Sequence, residues 1–156
     1  MTEQNTDHAQ VKIHPPVLTL IHLIIAFALG WLIPLPIPLP TFTPILSIVL
    51  VLLGLAFAGS AVFQFRAKRT TVNPHGSVSM IVSDGPYRFS RNPIYVGLVC
   101  LLIGFPLIAR SLWGLILSPV LILSFDNLVI QYEEAYLEKK FGEPYTNYKS
   151  RVRRWI

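Results

Sequence analysis

The sequence predicts an all-α fold, a polytopic helical membrane protein with about four transmembrane helices. Hydrophobic residues make up 53% of the 156 positions and charged residues only 13%, where a soluble domain carries about 25%. Mean hydropathy is +0.55. The apolar residues gather into long runs, and the polar blocks between them are dense in turn formers, arginines and tyrosines. A single domain over residues 1–156, opening with an N-terminal tail at 1–16, is the expected organisation at this length.

The runs occupy residues 17–33, 45–65, 94–109 and 112–130. A bilayer core takes about 20 apolar residues, so the first, second and fourth qualify by length. The third is short and needs Asn92, Pro93 or the turn at Arg110 to complete it. A cleavable signal peptide is not expected for the first run. Its upstream tail has two acids and no Lys or Arg between Thr2 and Gln10, and no small-residue cleavage pattern follows. Pro34, Pro36, Pro38 and Pro40 then alternate, which predicts an extended, uncharged loop.

Charge orients these spans. Arg66, Lys68, Arg69, Arg88 and Arg91 lie between the second and third, and Lys139, Lys140, Lys149, Arg151, Arg153 and Arg154 follow the fourth. The positive-inside rule makes both segments cytoplasmic, with both termini inside; in a prokaryote the membrane is then the plasma or inner membrane. Anionic lipid heads account for the net charge of +5 without any nucleic acid partner. His8, His14, His22 and His75 lack metal-ligand spacing, and the single Cys100 permits no internal disulfide, so no metal is expected. Neither a glycine-rich phosphate loop nor a nucleophile elbow is present.

The chemistry therefore belongs to two polar blocks. In the first, residues 83–97, Asn92 before Pro93 reads as a helix start, with Asn capping free amides and Pro at the first helical position. Such a terminus attracts a carboxylate, and Arg88 and Arg91 add positive charge. Tyr87 and Tyr95 offer aromatic faces to a cation. Gly85-Pro86 supplies a turn that returns Ile81 and Val82 towards the helix start. The plain alternative is an interfacial turn with snorkelling arginines. In the second block, Asp126, Val129, Glu133, Leu137 and Phe141 recur at helical spacing, so Glu133 faces inward with them. Glu134 falls with Ile130 and Glu138 on a face that reads as wetter.

These residues carry a resemblance. Gly85-Pro86-Tyr87-Arg88-Phe89-Ser90-Arg91-Asn92-Pro93-Ile94-Tyr95-Val96-Gly97 resembles the Gly-x-Tyr…Arg-His-Pro-x-Tyr-x-Gly segment of isoprenylcysteine carboxyl methyltransferases and related phospholipid methyltransferases. Glu133-Glu134, Leu137, Phe141-Gly142, Tyr145, Tyr148 and Val152 are similar to the C-terminal pattern of that family, so the likeness covers residues 78–152, the expected cofactor-binding and catalytic core. It implies methyl transfer from S-adenosyl-L-methionine, held in a cytoplasmic pocket of a helical membrane protein, to a lipophilic small-molecule or lipid acceptor drawn from the membrane. It implies cofactor contacts at Ser79, Met80, Ile81, Val82, Tyr87, Asn92, Pro93, Ile94, Tyr95 and Glu133, with Arg91, Asn92 and Tyr95 positioning the reactants. The cofactor carboxylate suits the amides after Asn92, and its amine suits Glu133. Asn92 stands where the family has histidine. Val129 stands where the eukaryotic prenylcysteine enzymes carry a substrate-binding arginine, which implies an apolar wall and an acceptor other than prenylcysteine. A phospholipid or amine N-methyltransferase, or a non-catalytic lipid-binding membrane module, are the alternatives.

Overall fold

Helix α1, Pro15–Leu32, begins on two prolines whose preset φ suits a first turn, and the proline segment beyond it prevents continuation. The computed structural model describes residues 8–35, 37–68 and 78–156, all of them helix, turn or irregular chain. Residues 1–7 of the N-terminal tail, Pro36, Arg69 and His75, which entered the reading above, lie outside the described residues. Helix α2, Thr43–Ala67, has 25 residues and rises about 37 Å. Helix α3, Pro93–Ile108, has only 16, about 24 Å, and is closed by Arg110 at φ 57° and by Ser111 N donating to Pro106 O at 2.9 Å.

Helix α4, Trp113–Phe125, runs through a π-helical turn, Asp126–Ile130, into α5, Gln131–Phe141. The fourth apolar run is thus the first part of one 29-residue helix that carries the second polar block on its far end. Gly142 at φ 59°, a conformation side-chain-bearing residues resist, turns the chain into α6, Glu143–Arg151.

Small residues bring α2 and α3 together. A Cβ at Gly97 would lie 2.6 Å from Gly54 O, and one at Gly54 would lie 2.8 Å from Gly97 O, so neither position admits a side chain at this separation. The core lies between α1, α3 and the long helix, around Leu18, Ala26, Leu102, Leu121, Phe125 and Val129. Large apolar residues on the outer faces, Leu20 and Ile24 of α1, Leu52 and Leu53 of α2 and Leu123 of α4, remain exposed. Hydrocarbon must cover such a belt. Three helices (Pro15–Leu32, Thr43–Ala67 and Trp113–Phe141) are long and apolar enough to cross a membrane, and α3 is the shorter fourth. The protein is an integral membrane protein.

The two ends of the bundle differ. At one, Trp113 Nε1 donates to Ile33 O at 2.9 Å and Arg110 Nη2 to Leu39 O at 3.3 Å, which ties the proline loop to the α3–α4 turn. At the other meet the end of α2, the start of α3, α5, α6 and the residues before α1. Both polar blocks therefore occupy one end.

Candidate functional site

The chain ahead of α3 sets the floor of a cavity. Asp84, ion-paired to Lys68 and thereby held below the usual carboxylate range, anchors the entry to a 3₁₀ turn, Gly85–Arg88. A Cβ at Gly85, φ 58°, would meet Gln64 Nε2 at 2.8 Å, so this turn packs against α2. The turn carries Tyr87 inward, where its ring meets Phe65 edge-on at 5.5 Å and its carbonyl accepts the Tyr148 hydroxyl at 2.8 Å.

Pro93 opens α3 as expected, but Asn92 does not cap it. Its Nδ2 donates instead to Arg154 O at 3.0 Å, an oxygen that also accepts Ser90 Oγ at 3.2 Å. The amides at this helix start are mostly committed. Pro93 has none, Asn92 N donates to Ser90 Oγ, and Tyr95 N and Val96 N donate to Asn92 O. An anion site built from several free amides is therefore not what the fold provides here.

The walls rise on α3 and α5. Tyr95 stacks on Phe125 with centroids 5.0 Å apart, and its hydroxyl donates to Glu133, whose carboxylate oxygens lie 2.7 and 2.8 Å away. Leu137 continues the Glu133 face, as the helical spacing predicts. Met80, Ile81, Val82, Tyr87, Asn92, Ile94, Tyr95 and Glu133 all line one cavity. Arg91 lines it too. Pro93 is fully buried behind it, and Ser79 flanks it without lining it.

Two further expectations need correction. Glu134 is not on a wet face, being only 6% exposed. Arg154 grips it from two sides, Nη2 to Oε2 at 2.7 Å and Nε to Oε1 at 3.1 Å, while Arg91 Nη2 reaches Oε1 at 3.1 Å and Lys149 Nζ reaches Oε2 at 3.7 Å. Arg154 also reaches Asp126 Oδ1 at 3.4 Å, and these carboxylates raise its pKa. The physical reason is that α6 and the C-terminal segment fold back over this face. Arg91 N donating to Arg153 O at 2.9 Å and Trp155 packed 6.4 Å from Phe125 pin that segment down. Val129 is the second correction. It shares the helical row of Glu133 but lies inside the π-helical turn, fully buried in the core, and forms no part of the cavity wall.

Sequence reasoning left out other walls. Tyr145 and Tyr148 from α6, Phe65 from α2, Tyr136 from α5 and Ala9 ahead of α1 all face the cavity. Tyr145 and Tyr148 belong to the C-terminal pattern quoted above, and their spacing on a short amphipathic helix points the same way. Burial raises the pKa of Tyr87 and Tyr145, and pushes Tyr148 up to about 12 despite Arg91. These phenols stay neutral near pH 7, so they serve as hydrogen-bond donors and aromatic faces and not as bases.

The outcome is a largely apolar cavity with a carboxylate on one wall, an arginine on another and tyrosines around both. Comparison with known proteins bears on what such a site belongs to. No solved structure matches the chain significantly. Over 73 residues, 47% of this chain and 31% of the other, it is 32% identical to the protein-S-isoprenylcysteine O-methyltransferase of Schizosaccharomyces pombe. Over 66 residues, 40% of this chain and all of the other, it is 41% identical to an uncharacterized protein of Haemophilus influenzae. The chain thus spans about a third of the length of the fission yeast enzyme. Residues 42–144, from the start of α2 through the cavity walls on α5, match the phospholipid methyltransferase family. The chain belongs to that family.

Proposed function

We propose that the protein transfers a methyl group from S-adenosyl-L-methionine to a lipophilic acceptor that reaches the cavity from the membrane. The observation that carries this reading is the pairing of Tyr95 with Glu133 across the cavity, between the two sequence blocks that resemble the methyltransferase motifs. The cavity suits the cofactor on physical grounds. Glu133 offers a carboxylate to its ammonium, the rings of Tyr87 and Tyr95 offer faces to its sulfonium, and Met80, Ile81 and Val82 offer apolar and backbone contacts to the remainder.

When bound, the cofactor supplies an electrophilic methyl on sulfur. The chain's own part is positioning and exclusion of water. Phe125 holds the Tyr95 ring, the Tyr95 hydroxyl fixes the Glu133 carboxylate, and the Tyr148 hydroxyl holds the turn bearing Tyr87. Asn92 and Arg91, fastened to the C-terminal segment and to Glu134, keep the start of α3 in register with α5. With the cavity phenols neutral, a carboxylate or thiolate acceptor needs no base, whereas an amine must arrive deprotonated. Phospholipids are the second acceptor class, favoured by the family's own description. In this reading the cavity end of the bundle is cytoplasmic, since the basic segments lie there.

The test is acceptor profiling. Membranes containing the protein are supplied with methyl-labelled S-adenosylmethionine and one candidate acceptor at a time. Label entering the organic extract, and lost in Glu133→Gln, is the expected result. Absence of transfer to any acid, thiol or amine lipid, with cofactor bound, would leave the non-catalytic lipid-binding reading in its place.

A further inference from the structure

The Arg91 side chain is 10% exposed, yet only one of its three guanidinium nitrogens is engaged. Nη2 pairs with Glu134, while Nε and Nη1 are buried without a hydrogen-bond partner. Buried donors on a charged group are rarely left so, because their lost hydration is not replaced. Glu134 is shared among Arg91, Arg154 and Lys149, and the Tyr148 hydroxyl is turned to Tyr87 O. Arg91 lies close enough to Tyr145 and Tyr148 to act on both electrostatically, and neither phenol accepts from it. Arg91 lines the same cavity as Glu133. The start of α3 offers no row of free amides to compete for an anion, and Val129 does not reach the cavity.

We propose that Arg91 is the carboxylate-binding residue of this cavity, presenting one of its two unpartnered donors, Nε or Nη1, to a ligand oxygen while Nη2 stays on Glu134. The inference rests on the methyltransferase reading, since two carboxylates then come within reach, that of the cofactor's amino-acid end and that of an acidic acceptor. With the first, Glu133 and Arg91 together complement a zwitterion. With the second, Arg91 supplies the cation that position 129 lacks, so an acidic lipid remains a substrate for a chain with valine there.

The experiment measures binding, by calorimetry on the full chain in detergent or nanodiscs. S-adenosylmethionine is compared with decarboxylated S-adenosylmethionine, which keeps the amine and sulfonium. Then, with S-adenosylhomocysteine bound, the free acid of a prenylcysteine analogue is compared with its methyl ester. Each comparison is repeated in Arg91→Lys, which retains a cation for Glu134 and lacks the extra donors. If the cofactor is the source, its decarboxylated form binds about tenfold to a hundredfold more weakly, and Arg91→Lys narrows the gap. If the acceptor is the source, the acid exceeds the ester by a like factor, again narrowed in Arg91→Lys. A purely structural Arg91 would weaken every ligand alike and leave both ratios unchanged, which overturns the inference, as would ratios near unity in the native protein. Failure of all adenosyl compounds to bind sinks the methyltransferase reading instead, and the acid and ester comparison, made without them, then decides Arg91 alone.

Discussion

Glu133 and Glu134 are neighbours with opposite surroundings. The first meets a tyrosine hydroxyl and the cavity, the second a cage of cations. Their removal should therefore read out differently. A charge-assisted hydrogen bond is worth about 1.5–3 kcal/mol, so Glu133→Gln should weaken S-adenosylmethionine binding roughly tenfold to a hundredfold with little loss of stability. Glu134→Gln strips a buried carboxylate from Arg91 and Arg154 and should destabilise the fold by about 3–5 kcal/mol. Binding by the fraction that remains folded should change far less. Calorimetry and thermal unfolding of both variants check this, and equal small losses of affinity would contradict it. The helical period identified Glu133 because its row, with Leu137, faces the cavity. It misplaced Glu134 because nothing in the local pattern says that Arg154, distant in sequence, returns to cover that face.

Among the elements, the α2–α3 pair sets the width of the site, because α3 carries Tyr95 and α2 carries Phe65. Gly97→Val would drive a side chain into Gly54 O and Ala58, and overpacking of this kind costs about 1–3 kcal/mol. A lowered unfolding temperature is expected, whereas an unchanged one would mean that the helices are not in this contact. Helix positions were readable from the apolar runs and the proline punctuation, and the continuation of α4 into α5 from the uninterrupted helical spacing. The π-helical turn was not. It takes one extra residue without breaking the apolar pattern, and its Leu128 carbonyl is satisfied by Lys12 N from the N-terminal segment at 3.1 Å, a partner no local rule supplies. Val129 was consequently assigned to a wall when it belongs to the core. The cap assigned to Asn92 failed for a related reason, since Arg154 O took its side chain.

At the scale of the whole molecule, both polar blocks share one end of the bundle and the proline loop lies at the other. With the basic segments cytoplasmic, Thr41→Cys in a Cys100→Ser background should react with an impermeant thiol reagent in intact cells, and Lys149→Cys should not. The reversed pattern would invert the orientation and put the cavity outside. The central claim concerns what that cavity holds, and it is tested most directly by titrating the purified full chain with S-adenosylmethionine. Saturable binding of one cofactor per chain, displaced by S-adenosylhomocysteine and weakened about tenfold or more in Glu133→Gln, is the predicted result. No saturable binding by a folded, monodisperse protein would contradict it.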